Sequence, residues 1–396
     1  MSNRNWRLPA GVGELLPPAA WALELTRRRV LDVFRAWGFE YIEPPVVDYL
    51  EALLVGGGDD MDLQTLKVVD QKSGRLLGIR ADLTAQAVRV DAHSRPETGV
   101  QRLCYAGNVV FANPVSALDD RVPLKAGAEL FGASTLQADA EVIALMLEVL
   151  TSVGISEPML VLGHMGIYQN LVAPLGLPDG QEAELFEAVQ SKAETDIARL
   201  LDGHPECDLL VRLPGLMGER EILSEARGLL AGSGDAVIAA IDDLQTLADL
   251  VLAAVPDTVL RFDLAELVGY GYHNGPVFSA YRAEAGRALA RGGRYDGIGS
   301  AFGRARPATG FDMNLNELAA TSAEASAEAT PAQAGAEAIW VPWMGGVDAD
   351  REAAIRRLRS EGESVVAALS ADDERPARCS RILVNSGGDW ALDPAI

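Results

Sequence analysis

Apolar residues recur at helical spacing in two stretches of the chain. Leu23, Val30 and Phe34 share one side of a helix that a preceding pair of prolines opens, and Gly38 is suited to its C-terminal cap. The segment 139–152 carries a similar apolar stripe. We therefore predict two helices that each bury one side against a core.

Short segments of strand-like sequence lie between these helices. They occupy 39–42, 67–70, 75–80, 101–110, 124–130, 258–264, 276–281 and 287–290, with a short helix at 84–93. The turn 71–74 ends in Gly74, which accepts a positive φ, so the strands on either side of it are predicted to pair as a hairpin. Hairpins joined by long connections favour an antiparallel sheet.

Changes of composition divide the chain. Residues 174–254 are rich in Leu, Ala, Glu and Asp and predict a helical insertion, whereas residues 319–338 are typical of a linker. Beyond the linker, residues 339–396 predict a small C-terminal α/β lobe of strands around one helix. We expect an α+β fold with a core at 1–318, a linker at 319–338 and this lobe.

Composition limits the partners of the protein. Its 396 residues include 57 acidic and 34 basic side chains, and the resulting charge of −23 repels nucleic acid. No apolar run approaches the roughly 20 residues of a membrane span, and no signal peptide is visible, so we expect a cytoplasmic protein without membrane contact. The three cysteines and four histidines are scattered, which predicts no metal site. The usual nucleotide-binding loops are also missing, and we expect no cofactor.

Five short motifs occur in a fixed order along the first part of the chain. They are Arg80–Thr84, Gly127–Gly132, Asp139–Ile143, Gly275–Phe278 and Gly292–Gly297. Together they resemble the motifs of histidyl-tRNA synthetases, and the resemblance covers roughly residues 8–318. It implies a class II aminoacyl-tRNA synthetase-like antiparallel sheet flanked by helices, usually in a dimer.

Three positions depart from the synthetase pattern. Phe111, Val268 and Glu317 stand where the resemblance implies arginines that contact ATP or the reacting amino acid. Each lost charge-assisted hydrogen bond costs about 1.5–3 kcal/mol. Useful ATP binding, and with it aminoacylation, is therefore predicted to be lost.

This combination resembles the regulatory subunits of ATP phosphoribosyltransferase, over nearly the whole chain. The residues that carry the resemblance are Asp91–His93, Tyr272–Gly275, 301–311 and 379–390. It implies a non-catalytic subunit that acts with short-form catalytic subunits in the first step of histidine biosynthesis and mediates allosteric feedback inhibition by histidine. It also implies a dimer within a hetero-oligomer, for which a hetero-octamer is one arrangement.

The resemblance further implies a binding site for L-histidine. Asp82, Thr84 and Glu129 would receive the ammonium group of the ligand, while Tyr272 and His273 would lie beside its imidazole ring. Free histidine needs hydrogen-bond acceptors for its ammonium and partners for both ring nitrogens, and these residue types supply them.

The carboxylate of the ligand has several candidate partners. Lys125 stands where the synthetases carry Gln, and Arg121, Lys125 and Arg294 are alternatives for this contact. Structural roles compete with ligand binding at two positions, because Asp82 could cap a helix and Glu129 could be a charge on a strand surface.

Two other functions remain open from the sequence. One is a diverged class II synthetase-like enzyme that activates an amino acid, and the other is a structural partner without a ligand. The replaced arginines argue against the first, and histidine binding would distinguish the second.

Overall fold

A computed structural model of the protein describes residues 7–55, 58–96, 98–113, 120–205, 207–267, 272–282, 286–327, 338–345, 348–386 and 389–393. The chain forms two compact units. The larger contains Leu25–Ser322 and a short N-terminal stretch, and the smaller contains Leu15–Glu24 together with the chain from Ala323 onward.

Sixteen strands are present in the described residues. They are β1 (Glu40–Tyr41), β2 (Val47–Tyr49), β3 (Leu66–Val69), β4 (Leu76–Ile79), β5 (Gln101–Asn108), β6 (Leu124–Phe131), β7 (Met159–His164), β8 (Met217–Gly218), β9 (Val259–Asp263), β10 (Pro276–Tyr281), β11 (Ala288–Arg294), β12 (Ala308–Asn314), β13 (Ala338–Val341), β14 (Val365–Ala367), β15 (Cys379–Ser386) and β16 (Asp389–Asp393).

Thirteen α-helices lie in the same described part of the chain. They are α1 (Ala19–Ala36), α2 (Leu50–Leu53), α3 (Gly58–Gln64), α4 (Thr84–Arg89), α5 (Leu136–Ser152), α6 (Met165–Val172), α7 (Asp179–Gln190), α8 (Glu194–Leu200), α9 (Cys207–Arg212), α10 (Glu221–Leu229), α11 (Asp235–Ala254), α12 (Leu315–Ala327) and α13 (Ala349–Ser360). Among these described helices, none combines the length and the apolar character that crossing a bilayer requires.

The larger unit is built on a nine-stranded sheet in the order β1-β5-β6-β12-β11-β10-β7-β9-β8. In this spatial order, every neighbouring pair from β5 through β6, β12, β11 and β10 to β7 is antiparallel. The pairs β1/β5 and β7/β9 are parallel. The predicted α+β fold with an antiparallel sheet flanked by helices is thus confirmed. The strands β7 and β12 were not predicted, and β12 lies at the centre of the sheet.

A second, three-stranded sheet in the order β2-β4-β3 belongs to the same unit. The predicted hairpin is present, because β3 and β4 pair antiparallel with Val69 opposite Leu76. Gly74 in the connecting turn has a φ of +71°, a conformation that L side chains rarely adopt. Gly74 was predicted to accept a positive φ in this turn, and it does.

The core of the larger unit forms where α1 and α5 bury their apolar stripes. Val30 and Phe34 of α1 have no solvent exposure, and the ring of Phe34 meets that of Phe311 at 6.0 Å. In α5, Ile143 and Leu150 are likewise fully buried. The segment that was predicted to be a helical insertion contains α7 to α11 and the two-residue strand β8.

The smaller unit contains a four-stranded sheet in the order β14-β13-β15-β16, with β13 parallel to both of its neighbours. Helix α13 connects β13 to β14 and begins at a cap in which Asp348 accepts hydrogen bonds from two backbone N–H groups. Strand β16 was not predicted. Helix α12 continues into the segment that was predicted to be a linker, and residues 328–337 of that segment lie outside the described residues.

Candidate functional site

The central strands of the large sheet have one apolar face. Successive side chains of a strand point to opposite sides of the sheet. Ala126 and Ala128 of β6 share one side with Phe311 and Met313 of β12, and all four are at most 2% exposed. Helix α5 covers this side of β6, β11 and β12. This face therefore belongs to the core.

The other face of the same strands, which we call the polar face, carries charged and hydroxyl groups. It contains Lys125 and Glu129 of β6, Asp312 of β12 and Tyr105 of β5. Gly310 stands opposite Glu129, and a Cβ at this glycine would lie only 1.6 Å from Oε2 of Glu129. Because Gly310 has no side chain, the carboxyl group of Glu129 can lie over β12 at this position.

Glu129 is the most deeply buried acid of the polar face, with 1% exposure. The hydroxyl of Tyr105 donates to its Oε1 at 2.9 Å, and the hydroxyl of Tyr295 donates to its Oε2 at 2.5 Å. Burial raises the pKa of Glu129 to about 8, although the two tyrosine hydrogen bonds act in the opposite direction. Glu129 is therefore not a charge on a strand surface, and its burial favours the protonated form.

Asp82 and Thr84 reach the same group of side chains from the start of α4. Oδ2 of Asp82 accepts a hydrogen bond from the backbone N–H of Thr84, the first residue of α4, at 3.0 Å, while the N-cap position itself is occupied by Leu83. The hydroxyl of Thr84 lies 3.3 Å from that of Tyr105. Burial raises the pKa of Asp82, and Lys125 acts to lower it.

Lys125 forms an ion pair on the polar face. Its Nζ lies 2.6 Å from Oδ2 of Asp312, and the two side chains are 21% and 28% exposed. Burial acts to lower the pKa of Lys125, but Asp312 and Asp82 raise it overall. Across the described residues, no three His, Cys, Asp or Glu side chains are arranged to hold a metal ion.

Tyr272 and His273 join the polar face through Tyr295. The rings of Tyr272 and Tyr295 stack with their centroids 5.0 Å apart, and the ring of His273 meets that of Tyr272 edge-on at 4.8 Å. The hydroxyl of Tyr272 is buried and interacts with Thr84, but among the described residues it forms no hydrogen bond of good geometry. A buried hydroxyl usually forms such a bond, so this one is available to a ligand.

The two arginines considered for the carboxylate have other partners in the structure. Arg294 follows Gly293, which stands opposite Gly310, so its side chain points to the apolar face. There it binds Asp139 at 2.8 Å, with both side chains at most 7% exposed. Arg121 donates to the backbone carbonyls of Phe111 and Ala10. The structure therefore places the side chain of Arg294 away from the polar face, because adjacent residues of a strand point to opposite faces of the sheet.

Three residues of this site were not predicted from the sequence. Tyr105 and Asp312 were missed entirely, and Tyr295 was noticed only as part of a glycine-rich motif. Alternation between apolar Phe311 and Met313 and polar Asp312 and Asn314 was a usable signal for a strand with one polar side.

The positions that depart from the synthetase pattern have other contacts here. Phe111 is partly buried and packs against the apolar cluster that contains Leu83. Glu317, in the first turn of α12, accepts a hydrogen bond from the amide of Asn314 at 3.1 Å and lies 3.6 Å from Arg287. Val268 lies outside the described residues. Neither described position supplies a cation for a triphosphate.

Two protein families match different parts of the chain. Residues 11–318 match the histidyl-tRNA synthetase family, and residues 336–393 match the C-terminal domain of the ATP phosphoribosyltransferase subunit HisZ. The crystal structure of an ATP phosphoribosyltransferase regulatory subunit/histidyl-tRNA synthetase from Bacillus halodurans is similar, with a TM-score of 0.80 and 28% identity over 93% of this chain and 94% of that one. The histidyl-tRNA synthetase from Nostoc shares the fold, with a TM-score of 0.75 and 18% identity over 96% and 91% of the two chains.

Curated relatives match the chain from end to end. The ATP phosphoribosyltransferase regulatory subunit of Pseudomonas fluorescens is 44% identical over 395 residues, which cover 98% of each chain. The protein of the same name from Teredinibacter turnerae is 44% identical over 388 residues, or 96% of each chain. Identity at this level over the whole length extends through both the synthetase-like region and the C-terminal domain, and the chain belongs to the family of ATP phosphoribosyltransferase regulatory subunits.

Proposed function

We propose that this chain acts in the cytoplasm as the non-catalytic regulatory subunit of an ATP phosphoribosyltransferase, in the first step of L-histidine biosynthesis. The full-length similarity to proteins of that name is the observation that carries the proposal. Its partner would be a short-form catalytic subunit, since a regulatory subunit without an active site of its own needs a second chain for the reaction.

We further propose that L-histidine is the allosteric ligand and that it binds at the polar face. Its ammonium group would meet Asp82, Thr84 and Glu129, and its ring would lie beside Tyr272 and His273. The hydroxyl of Tyr272 makes no hydrogen bond of good geometry to the described residues. This supports the placement, because a ring nitrogen or the carboxylate of the ligand would supply such a bond.

For the ligand's carboxylate we favour Lys125 over the two arginines. Lys125 is partly exposed on the polar face, whereas Arg294 is enclosed by Asp139 and two backbone carbonyls on the other side of the sheet. The guanidinium of Arg121 is held by backbone carbonyls. Lys125 would then contact both Asp312 and the ligand.

The test uses the full chain and a short-form catalytic subunit. We expect the mixture to elute from a size-exclusion column as one larger species, with phosphoribosyltransferase activity above that of the catalytic subunit alone. Histidine should inhibit this activity only when the chain is present. Two independent peaks with unchanged activity would contradict the proposal.

A separate measurement addresses amino-acid activation. The chain alone should show no histidine-dependent exchange between ATP and pyrophosphate, because Phe111 and Glu317 stand where the synthetases use cations. Exchange clearly above background would instead support the diverged amino-acid-activating enzyme.

We also propose that the chain pairs with a second copy through its three-stranded sheet. Cross-strand register places six apolar side chains on one side of this sheet, which are Val47, Tyr49, Leu66, Val68, Leu77 and Ile79. Val47, Tyr49 and Val68 are 46%, 39% and 43% exposed. Exposed apolar surface of this kind marks an interaction site, and a two-fold axis brings such a face against its own copy.

The two sides of β3 provide a matched test of this interface. Val68 lies on the apolar side, whereas Val69, which is 61% exposed, points to the opposite side. We expect Val68→Glu to convert the protein to a monomer and Val69→Glu to leave a dimer, as measured by light scattering. Equal masses for the two variants would exclude this face as the interface.

A further inference from the structure

Glu129 is a buried acid whose hydrogen-bonding partners carry no positive charge. Both carboxyl oxygens are bound by tyrosine hydroxyls, and among the described residues no ion pair includes this side chain. The undescribed segments 114–119 and 268–271 contain neither Lys nor Arg. A buried carboxylate is costly unless it is paired with a cation, and the hydrogen bonds from two neutral hydroxyls offset only part of that cost here.

The charged and titratable neighbours of Glu129 come from every element around it. They are Tyr105 of β5, Lys125 of β6, Asp312 of β12, Asp82 before α4, Tyr295 after β11, and Tyr272 with His273. With all acids ionised, this group would hold three carboxylates, the ammonium of Lys125 and, beside Asp82, the buried guanidinium of Arg80, which donates to the backbone carbonyls of Pro44 and Asn108. Lys125 is already committed to Asp312 at 2.6 Å. The group therefore has an excess of negative charge that either a proton or a cationic ligand can reduce.

We propose that the polar face exchanges a proton for a cation: Glu129 holds a proton in the ligand-free protein and releases it to the solvent when the ammonium group of a ligand binds. This inference rests on the proposed ligand site, and it adds the ligand class and the dependence on pH. A neutral isostere of the ligand would lack the charge that replaces the proton, so the site selects organic cations.

The direction of the pH effect follows from the competition between proton and ligand. Burial raises the pKa of Glu129 to about 8, so the proton is bound across the neutral range in the absence of a ligand. A ligand that requires the ionised form must displace it. Affinity should then rise with pH, by about tenfold per unit below that pKa, and feedback inhibition should strengthen in the same direction.

Calorimetric titration of L-histidine into the full chain at pH 7 tests this exchange. Phosphate and Tris buffers differ in ionisation enthalpy, so the difference in observed heat counts the protons released. We expect close to one proton per ligand bound. In Glu129→Gln, which mimics the protonated acid, the release should disappear, because the same ligand then meets a side chain that cannot ionise. The affinity ratio of wild type to variant should change about tenfold between pH 7 and pH 6.

The outcomes separate this inference from the proposed function. Binding without proton release in the wild type, or an equal release in Glu129→Gln, would overturn the exchange and leave the ligand site in place. Absence of any binding at pH 6, 7 and 8 would overturn the ligand site itself, and the exchange with it. Should the variant bind too weakly for its protons to be counted, the wild-type count decides, because a value near zero contradicts the proposal.

Discussion

Asp139 and Glu129 are two buried carboxyl groups on opposite sides of one sheet, and their surroundings differ in one respect. Asp139, with no exposure, is bound by the guanidinium of Arg294 through two hydrogen bonds. Glu129, with 1% exposure, is bound by tyrosine hydroxyls. Burial raises the pKa of both acids, and Arg294 acts against that rise only at Asp139. The cation that pairs with Asp139 is part of the fold, whereas Glu129 has no cationic partner among the described residues.

This difference indicates which acid stabilises the fold and which can respond to a ligand. A buried ion pair fixes two elements, here α5 and β11, and its removal affects the folded state as a whole. An acid held by neutral groups contributes less to stability, and a cation from outside can change its ionisation. The structural charge pair and the candidate binding site thus lie on opposite faces of the same sheet. Adjacent residues of β11 belong to these two faces, Gly293 to the polar face and Arg294 to the apolar face.

The largest expected effect comes from breaking the pair on the apolar face. Arg294→Met leaves Asp139 buried without its cation, which should lower the free energy of unfolding by about 3–5 kcal/mol. Denaturant unfolding followed by circular dichroism measures this change. Glu129→Gln is the matched control, and it should alter stability by less than about 1 kcal/mol at pH 7, because burial favours the protonated form of the acid that it replaces. Equal losses in the two variants would contradict the contrast between the two acids.

A smaller effect, confined to binding, is expected on the polar face. Glu129→Ala removes the acceptor for the ligand's ammonium, so histidine affinity should fall at least tenfold, on the scale of about 1.5–3 kcal/mol for a charge-assisted hydrogen bond. Titration calorimetry measures the affinity, and inhibition of the assembled complex should weaken in parallel. Unchanged affinity would place the effector site elsewhere in the protein.

Local sequence patterns predicted much of the frame of this site. Strands β5 and β6 and helix α5 have clear apolar patterns, and they correctly position the segments that carry Lys125, Glu129 and Asp139. The pairing of Glu129 with Gly310 could not be predicted, because it joins segments far apart in the chain, and glycine weakens the strand signal of β12.

The direction of individual side chains was the harder part. The motif Gly292–Gly297 contains both Arg294, which was one alternative for the ligand's carboxylate, and Tyr295, and residue types alone could not assign their side chains to faces. Since side chains alternate along a strand, only the register with β12 decides that Arg294 meets Asp139 and that Tyr295 meets Glu129.

The smallest expected effect comes from removing a single hydroxyl group, that of Tyr272. The hydroxyl of Tyr272 is buried and makes no hydrogen bond of good geometry to the described residues, so Tyr272→Phe should leave the stability of the ligand-free protein unchanged or slightly higher. If histidine supplies such a bond, the variant loses about 0.5–1.5 kcal/mol of binding, which corresponds to a two- to tenfold weaker affinity. Tyr105→Phe is the control, because that hydroxyl already binds Glu129 and its loss should lower stability as well. A Tyr272→Phe variant that is destabilised but binds histidine normally would show that this hydroxyl serves the fold, and that the ligand does not contact it.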